Sequence, residues 1–508
     1  MAETLPELFA RNRPDPATTF IDRPGELPIS YRQVAERTAQ LAHALVASGV
    51  RVGDRVAVQA EKSAEFLLLY LACVRSGAVL VPMNPAYTDA EVAYLLGDAG
   101  PSLVVHDPAR HLAGDPVGIR REHGGDCGWT TLDAEGRGTL SSLADEQPTE
   151  FDDVPVRADD VAAILYTSGT TGRPKGAMLT QRNLASNAAA LHQIWGFQRD
   201  DVLLHALPVF HTHGLFVATN CVLANGTGMI FLPRFEPGAV IEQLPRATVL
   251  MGVPTYYTRL LADPRFTNDA CRSIRLFVSG SAPLLAATHE EFSARTGHAI
   301  LERYGMTETS MITSNPLDGE RRAGTVGRPL PDVDVRVTDP ASGEALPAGR
   351  VGGVEVRGPN VFAGYWGRPE LTATEFTSDG FFKTGDVGMV DDDGYLHLVG
   401  RSKDLIISGG LNIYPKEIED VVDAIDGVEE SAVIGVADAD FGEAVVAVVV
   451  ARPGAALDPD VVRAAARSRL AGFKVPKRVH VVDALPRNAM GKVEKAKLRS
   501  AFDPTDTD

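Results

Sequence analysis

The first 330 residues alternate between stretches with apolar side chains at helical spacing and short, continuous apolar runs. Residues 31–48 have apolar side chains every three or four positions and end before Gly49, which predicts an amphipathic helix. Residues 55–59 and 79–81 predict buried strands, and residues 63–76 predict a helix between them. This alternation predicts parallel sheets covered by helices.

From about Val333 the pattern changes to short strand-like segments separated by Gly, Pro and Asp, which predicts a small antiparallel β unit. These segments are residues 333–338, 353–357 and 395–399. After Arg401 we predict helices at 415–425 and 459–470 and strands at 431–436 and 444–450. The predicted fold is α/β. It has a large N-terminal domain (1–400) of parallel-sheet α/β layers with the β unit, and a small mobile α+β C-terminal domain (401–508).

Composition narrows the class of protein. A chain of 508 residues is too long for one core, and 44% hydrophobic with 23% charged residues is ordinary for a globular protein. The net charge of −18 argues against a general nucleic-acid binder. The four cysteines are scattered without a CxxC pair, which predicts neither a zinc site nor a disulfide framework.

Targeting signals are not evident. The N-terminus MAETLPELFARN has no apolar core of a signal peptide, and the longest apolar run, residues 66–74, is too short to span a membrane. We therefore expect a cytoplasmic protein. Residues 114–139 are rich in Gly and Asp without periodicity and predict a surface loop.

The most informative segment is YTSGTTGRPKG, residues 166–176, directly after an apolar strand-like run. Its glycines allow close approach of the backbone to a polyphosphate, its hydroxyls donate to phosphate oxygens, and Lys175 adds a point charge. It is not the P-loop spelling. A polar surface loop is the simpler interpretation, and the other motifs of the chain decide between the two.

The segment resembles the phosphate loop of the acyl-adenylate-forming enzymes: acyl- and aryl-CoA synthetases, adenylation domains of peptide synthetases and firefly luciferase. Four further motifs in the family's order extend the resemblance over the whole chain: YGMTET (304–309), FKTGD (382–386), GRSKD (400–404) and PRNAMGK (486–492). The resemblance implies two half-reactions, adenylation of an acid by ATP and transfer of the acyl group to a thiol.

The resemblance also implies residue roles. Tyr304 stacks on adenine, Thr307 meets the α-phosphate and Glu308 holds Mg²⁺ together with Thr170. Asp386 accepts hydrogen bonds from the ribose hydroxyls, and Arg401 also reaches the ribose. Lys492 is the catalytic lysine, with Thr307 and Glu308 as further catalytic residues, and Lys403 is the hinge between the domains. The implied ATP site consists of Thr167, Ser168, Gly169, Thr170, Thr171, Lys175, Gly280, Ser281, Ala282, Tyr304, Thr307, Asp386, Arg401 and Lys492.

The implied acceptor is coenzyme A. The chain stops about sixteen residues past Lys492, which leaves no room for a carrier domain, so we expect free CoA rather than a tethered thiol. Eleven Lys and Arg lie between Arg463 and Arg499 against two acids. This excess suits a polyanionic ligand such as the phosphates of CoA, and a solvated helix face explains it equally well. The residues expected to contact CoA are Ser408, Gly409, Gly410 and Lys474.

The acid is suggested by Arg303, which precedes the adenine-stacking tyrosine. A buried arginine without a partner is costly, and a second substrate carboxylate would satisfy it. Segments 208–216, 277–284 and 302–309 most resemble malonyl-CoA synthetases, which implies an acid pocket containing Arg303, His211, Ser279 and Met306. Alternatively, Arg303 pairs with Glu302 and faces away from the pocket.

Three functions remain open: a malonate or methylmalonate–CoA ligase, a CoA ligase for another small, aromatic or fatty acid, and a catalytically silent nucleotide-binding protein. Retention of Lys175, Glu308, Asp386, Arg401 and Lys492 speaks against the third. The sequence leaves open the exact acid and the oligomeric state. The expected ligands are ATP, Mg²⁺, CoA and a small acid.

Overall fold

The computed structural model describes residues 4–109, 127–167, 173–408, 411–438, 440–488 and 491–503. Contacts separate the chain into two compact units. Unit 1 is Met1–Asp334 with Arg357–Phe382, and unit 2 is Val335–Val356 with Lys383–Asp508. Residues 335–356 and 383–400 thus group with the C-terminal part of the chain. A grouping by contacts does not locate a rotation, so the domain boundary and the hinge at Lys403 stay predictions.

Unit 1 contains two mixed sheets with helices packed against them. Its strands are β1 (Thr19–Asp22), β2 (Ile29–Ser30), β3 (Arg55–Gln59), β4 (Val79–Pro82), β5 (Leu103–His106), β6 (Gly128–Thr131), β7 (Val161–Thr167), β8 (Lys175–Thr180), β9 (Val202–His205), β10 (Gly228–Phe231), β11 (Val249–Gly252), β12 (Leu276–Ser279), β13 (Leu301–Met306), β14 (Ser310–Ser314) and β15 (Arg328–Pro329). Its helices are α1 (Leu5–Arg11), α2 (Tyr31–Ala47), α3 (Ala64–Ser76), α4 (Asp89–Ala99), α5 (Thr139–Asp145), α6 (Gln181–Ile194), a π-helical turn (His213–Ala218), α7 (Thr219–Asn225), α8 (Pro237–Gln243), a 3₁₀ turn (Leu244–Arg246), α9 (Pro254–Leu261), α10 (Ala286–Thr296) and α11 (Pro369–Glu375).

The predicted parallel α/β layers are confirmed. Among the described residues, one sheet has the order β6-β5-β3-β4-β7-β8 and is parallel except for β8 at its edge. The second has the order β15-β14-β13-β12-β11-β9-β10-β1-β2, with a parallel centre and antiparallel strands at both ends. Parallel strands end at a common edge, which is where such sheets bind ligands.

Local sequence signals explain the helix boundaries. Ser30 and Gln33 form a capping box at the start of α2, because each side chain bonds to the other's backbone N–H. Ser63 caps α3 by accepting from the N–H of Phe66, and α3 ends at Gly77, whose φ of +68° suits glycine. The predicted and observed bounds of both helices therefore agree closely.

Unit 2 is smaller and mixed. Its sheets are formed by β16 (Asp334–Thr338), β17 (Gly352–Arg357), β18 (Phe382–Val390), β19 (Leu396–Arg401), β20 (Ile406–Ser408), β21 (Leu411–Ile413), β22 (Val428–Asp438), β23 (Gly442–Ala451) and β24 (Arg478–Val482). Its helices are a 3₁₀ turn (Ser402–Asp404), α12 (Pro415–Asp423), α13 (Pro459–Arg467), a 3₁₀ turn (Gly472–Lys474) and α14 (Lys495–Phe502). One sheet has the order β16-β17-β18-β19, and the other, β21-β20-β23-β22 with β24 on β23, has apolar cores on both faces.

One local prediction is partly wrong. Of the predicted loop 114–139, residues 114–126 are outside the described residues, but Gly128–Thr131 forms β6, parallel to β5. Trp129 lies edge-on to His106 with ring centroids 5.8 Å apart. A four-residue strand is too short to show a period in the sequence.

Candidate active site

The phosphate-loop segment begins where β7 ends. Thr167 is the last residue of β7, and its register partner on β8 is Lys175. Ser168, Gly169, Thr170 and Thr171, which the sequence assigned to ATP and in part to the metal, lie outside the described residues. The two ends of the segment therefore stand side by side at the carboxyl edge of the parallel strands.

Lys175 is held over an aromatic ring. Its Nζ lies 4.8 Å from the centroid of Tyr365 and 3.5 Å from Oε1 of Glu375, and its side chain is 9% exposed. The long contact with Glu375 is a weak ion pair, so the ammonium is oriented without being fully neutralised. Such a cation is suited to a phosphate oxygen.

The second motif forms a β-hairpin. Residues of YGMTET end β13 and make the turn, and β14 begins directly after them at Ser310. Only glycine fits at Gly305, because a Cβ there would lie 2.0 Å from the carbonyl oxygen of Ser310. Tyr304 is buried, whereas Met306 and Thr307 are half-buried. Tight packing thus sets the direction of the turn that carries Glu308.

Glu308 joins the first two motifs. Its Oε1 accepts from the Tyr365 hydroxyl at 3.0 Å and lies 3.5 Å from the Thr167 hydroxyl, and the residue is 6% exposed. The backbone beside it is also fixed, since Asn360 donates to the carbonyl of Thr309 at 2.8 Å. The structure therefore brings Thr167, Lys175 and Glu308 around one aromatic residue, Tyr365.

A second group of residues, here called the acid pocket after its predicted role, contains two of the predicted acid residues, Ser279 and Arg303. Ser279 ends β12 and is fully buried, and its hydroxyl finds no hydrogen-bond partner among the described residues. Gly280 follows against Arg303: a Cβ on this glycine would lie 2.5 Å from the guanidinium Cζ. Ser281 has a φ of +74° and its hydroxyl lies 3.3 Å from Nδ1 of His213. Ala282 is half-buried after it.

Arg303 is the unusual group of this pocket. It is 2% exposed, and its Nε and Nη2 have no hydrogen-bond partner within the described part of the chain. Burial lowers the pKa of Arg303 to about 9, although Tyr257 and Glu302 oppose this shift. Successive residues of a strand face opposite sides, and Glu302 accepts from the N–H of Leu284 at 3.3 Å. The guanidinium therefore keeps unused donors inside the protein.

His211, which the sequence predicts in the acid site, is half-buried, and its role stays a prediction. His213, which the sequence analysis does not name, also lies in this pocket. It begins the π-helical turn, is 1% exposed, and its Nε2 has no partner among the described residues. Burial lowers the pKa of His213 well below its ordinary value, and the charges of Arg303, His211 and His205 add to the shift. Burial therefore favours the neutral form of the His213 imidazole. Residues 211–214 of the sequence are HTHG, with two histidines, and only the fold shows which of the two is buried.

In unit 2 the two predicted ribose ligands are partners. Asp386 on β18 and Arg401 on β19 are opposite each other, with Arg401 Nε 2.6 Å from Asp386 Oδ1. Lys403 is exposed in the 3₁₀ turn that follows. The neighbouring Asp404 pairs with Arg499 at 2.7 Å, which connects this turn to α14.

The predicted catalytic lysine lies on a loop whose backbone is held by hydrogen bonds. The N–H of Lys492 donates to the Asn488 side chain at 3.0 Å, and its carbonyl accepts from the Asn488 N–H at 2.9 Å. Arg487 donates to the Gly491 carbonyl and pairs with Glu430 on β22. The backbone is therefore ordered while the Lys492 side chain is exposed.

The residues predicted to contact CoA do not all have exposed, unpaired side chains. Ser408 is buried at the end of β20, and Gly409 and Gly410 lie outside the described residues. Lys474 is within 2.5 Å of Glu417 and Lys477 within 3.1 Å of Asp438. Part of the basic excess is thus compensated by neighbouring carboxylates.

Comparisons with known proteins identify similar enzymes over nearly the whole length of the chain. Residues 7–366 match the model of the AMP-binding enzyme family, and residues 417–492 match the AMP-binding enzyme C-terminal domain. The chain is 40% identical to a feruloyl-CoA synthase of an Amycolatopsis species, over 97% of each chain. It is 35% identical to a malonate–CoA ligase of Arabidopsis thaliana, over 89% of this chain and 78% of that one.

A solved structure is more similar still. The crystal structure of ATP-bound MatB from Rhodopseudomonas palustris is 53% identical, covers 100% of both chains and superposes with a TM-score of 0.96. None of the helices formed by the described residues combines the length and apolar character that crossing a bilayer requires.

Proposed function

The chain belongs to the AMP-binding enzyme family, among the acyl-CoA synthetases, and we propose that it is an ATP-dependent ligase that joins malonate or methylmalonate to coenzyme A. The reaction has two steps. The acid and ATP form an acyl-adenylate and pyrophosphate, and the thiol of CoA then displaces AMP. We further propose that the protein acts in the cytoplasm, as the sequence analysis expects.

The choice of a dicarboxylic acid depends on Arg303. A buried guanidinium with unused donors is costly unless an anion meets it, and a planar carboxylate can accept two parallel N–H bonds. A monocarboxylic acid offers only the carboxylate that must react with ATP. A second carboxylate at a short, fixed distance would satisfy Arg303 and leave the first one free.

The neighbours of Arg303 support a small polar substrate. The hydroxyl of Ser279 and Nε2 of His213 are also buried without partners in the described chain. The neutral His213 imidazole donates or accepts one hydrogen bond without adding a second charge. These groups suit carboxylate oxygens better than an aromatic ring or an alkyl chain.

For the adenylation step the protein needs no general base, because a carboxylate is already a nucleophile at neutral pH. It must hold the acid oxygen in line with the α-phosphorus and stabilise the charge that develops there. We assign orientation of the polyphosphate to Lys175 and contact with the reacting oxygens to Lys492. Withdrawal of Lys492 about the hinge at Lys403 would then admit the thiol.

A magnesium ion fits the carboxylate of Glu308. This carboxylate lies among hydroxyl groups, those of Tyr365 and Thr167, and hard oxygen donors are the ones that Mg²⁺ prefers. Such an ion, bound together with ATP, would neutralise part of the negative charge of the phosphates.

The test is pyrophosphate release, measured with purified protein, ATP, CoA and a panel of acids. The panel contains malonate, methylmalonate, succinate, acetate, propionate, ferulate and indoleacetate. We expect kcat/KM to be highest for malonate or methylmalonate. Preference for a monocarboxylic acid would refute the proposal. If none of the acids on the panel supports pyrophosphate release, the whole proposed range of substrates is refuted.

An aromatic acid is the second candidate. It is favoured by the identity of 40% to a feruloyl-CoA synthase and of 37% to an indoleacetate–CoA ligase from Aromatoleum aromaticum. In this case Arg303 would have a purely structural role. The ferulate and indoleacetate arms of the panel decide between the candidates.

A further inference from the structure

Lys62 is a buried lysine with no carboxylate partner among the described residues. It is 9% exposed, and its Nζ lies 4.2 Å from the ring centroid of Phe231. Both of its hydrogen bonds go to a single residue, His205, at 2.9 Å from the backbone oxygen and 3.1 Å from Nδ1. A buried ammonium group is unfavourable, so this arrangement calls for a specific role.

The contacts of His205 define its tautomer. Its Nε2 lies 2.9 Å from the carbonyl oxygen of Gly214, and a carbonyl oxygen only accepts, so Nε2 carries the proton. Nδ1 is then an acceptor, and Lys62 is its donor. His205 is 1% exposed and is the last residue of β9, at the carboxyl edge of the sheet.

Gly214 belongs to the π-helical turn that carries His213. Its carbonyl also accepts from the hydroxyl of Thr219 at 3.0 Å, so two side chains hold it. The turn is closely packed, because a Cβ on Gly214 would lie 2.0 Å from the carbonyl oxygen of Pro208. π-Helical turns are uncommon and occur often at functional sites.

The carbonyl of Gly214 lies one residue after His213, whose Nδ1 is 3.3 Å from the Ser281 hydroxyl in the acid pocket and whose pKa the charge of Arg303 lowers. A displacement of this peptide group therefore moves the His213 ring. A misplacement of about 1 Å in a binding group can reduce activity by roughly a hundredfold. The contacts that hold the π-helical turn in place therefore also fix the position of His213 in the acid pocket.

We propose that Lys62 and His205 are positioning residues: Lys62 orients His205, and His205 holds the Gly214 carbonyl and thereby sets His213 in the acid pocket. Neither residue contacts the acid. The inference rests on the proposed function only in taking this pocket as the acid site. It does not depend on which acid is bound.

Two substitutions of His205 separate its two contacts. His205→Gln places an amide N–H near the position of Nε2, which keeps the donor to Gly214, and it has no atom at Nδ1. His205→Asn is too short to reach Gly214. Lys62→Met keeps the apolar stem but leaves Nδ1 of His205 as a buried acceptor without a donor, which favours reorientation of the ring.

The experiment measures KM for the acid, KM for ATP, kcat and Tm, with the acid that gives the highest kcat/KM in the panel. We expect His205→Asn and Lys62→Met each to raise KM for the acid about tenfold and to leave KM for ATP within about twofold. His205→Gln should stay near the parental value. In the His205→Gln background, Lys62→Met should add less than about twofold, because the unsatisfied Nδ1 is gone.

A purely structural role would give other results. It predicts parallel changes in both KM values that follow Tm, equal effects of the two His205 substitutions, or the same factor for Lys62→Met in both backgrounds, and each of these would overturn the proposal. If Lys62→Met does not fold, the contrast between the His205 substitutions still decides.

The matched control is His289 on α10. It is buried as well, and its Nε2 lies 3.2 Å from a backbone carbonyl, that of Ile300, which is not assigned to the acid pocket. His289→Gln and His289→Asn should both leave KM for the acid unchanged. Failure of malonate in the panel would refute the substrate while leaving this test intact.

Discussion

Asp386 and Arg401 face each other across β18 and β19, with 2.6 Å between Oδ1 of the carboxylate and Nε of the guanidinium. The carboxylate side chain is 7% exposed and the guanidinium is 35% exposed. The pair therefore has one ordered, buried partner and one that reaches solvent. Two groups assigned to the same ribose hold each other in place before ATP arrives.

From this pair we predict the effect of Asp386→Asn. Hydrogen bonds to a charged group are worth about 1.5–3 kcal/mol, so KM for ATP should rise roughly ten- to a hundredfold, with a smaller effect on KM for the acid. Steady-state kinetics at varied ATP measure it. Arg463→Gln, which breaks an exposed pair with Asp460 in the same unit, is the control. An unchanged KM for ATP would show that Asp386 does not bind the ribose.

A second prediction concerns Lys492→Ala. Because the lysine is proposed to contact the reacting oxygens only during adenylation, acid-dependent exchange of pyrophosphate into ATP should fall at least a hundredfold. Thioester formation from a supplied acyl-adenylate should stay within a few-fold of parental. Lys497→Ala removes another exposed lysine, paired with Glu494, and should change neither step. Equal loss in both steps would contradict the assignment.

A third prediction tests how closely the acid pocket is packed. In Gly280→Ala the added methyl group would lie 2.5 Å from the Cζ of Arg303, so the guanidinium must move. The end of a long side chain yields more easily than backbone, and we expect KM for the acid to rise about tenfold or more while Tm changes little. Kinetics and thermal unfolding measure both. A large fall in Tm with an unchanged KM would mean that the backbone moves instead.

How much of the structure the sequence predicts depends on how far apart in the chain the interacting residues lie. Capping residues such as Ser30 and Ser63, and glycines such as Gly77, determine helix ends within a few positions, so the helices were predicted closely. Contacts across the fold have no such local signal. Tyr365 meets Glu308, and Lys474 meets Glu417, in each case from 57 positions away.

The acid pocket shows the same limit. The sequence singles out Arg303 by its place before Tyr304, but only the folded chain shows that its Nε and Nη2 have no hydrogen-bond partner among the described residues. His213 lies 68 positions from Ser281, and nothing in HTHG distinguishes it from the half-buried His211. The sequence thus predicted the motif residues, whereas burial and packing determine which neighbour completes the pocket.

A fourth prediction follows from the lowered pKa of His213. The folded protein keeps this imidazole neutral, whereas the unfolded chain binds a proton below a pH of about 6.5. The stability that His213 contributes is therefore fully present above this pH and is lost as the pH falls below it. Its share of the slope is about 1.4 kcal/mol per pH unit. In His213→Gln the free energy of unfolding, measured in urea from pH 5 to 8, should decline less steeply in acid. An identical slope would refute the shift.

The last prediction concerns Arg303→Ala and decides the substrate. If the guanidinium binds the distal carboxylate, its loss removes a charge-assisted bidentate interaction worth on the order of 2–4 kcal/mol. The kcat/KM for malonate should then fall roughly thirty- to a thousandfold. Activity with acetate or propionate should hold or rise, because their apolar ends no longer face an unpaired cation. Only a direct contact with the acid inverts the preference in this way, since a folding defect lowers every activity together. Pyrophosphate release with the three acids, run beside a Tm measurement, separates the two. A uniform fall for all acids would make Arg303 structural and would leave the aromatic acid as the better candidate.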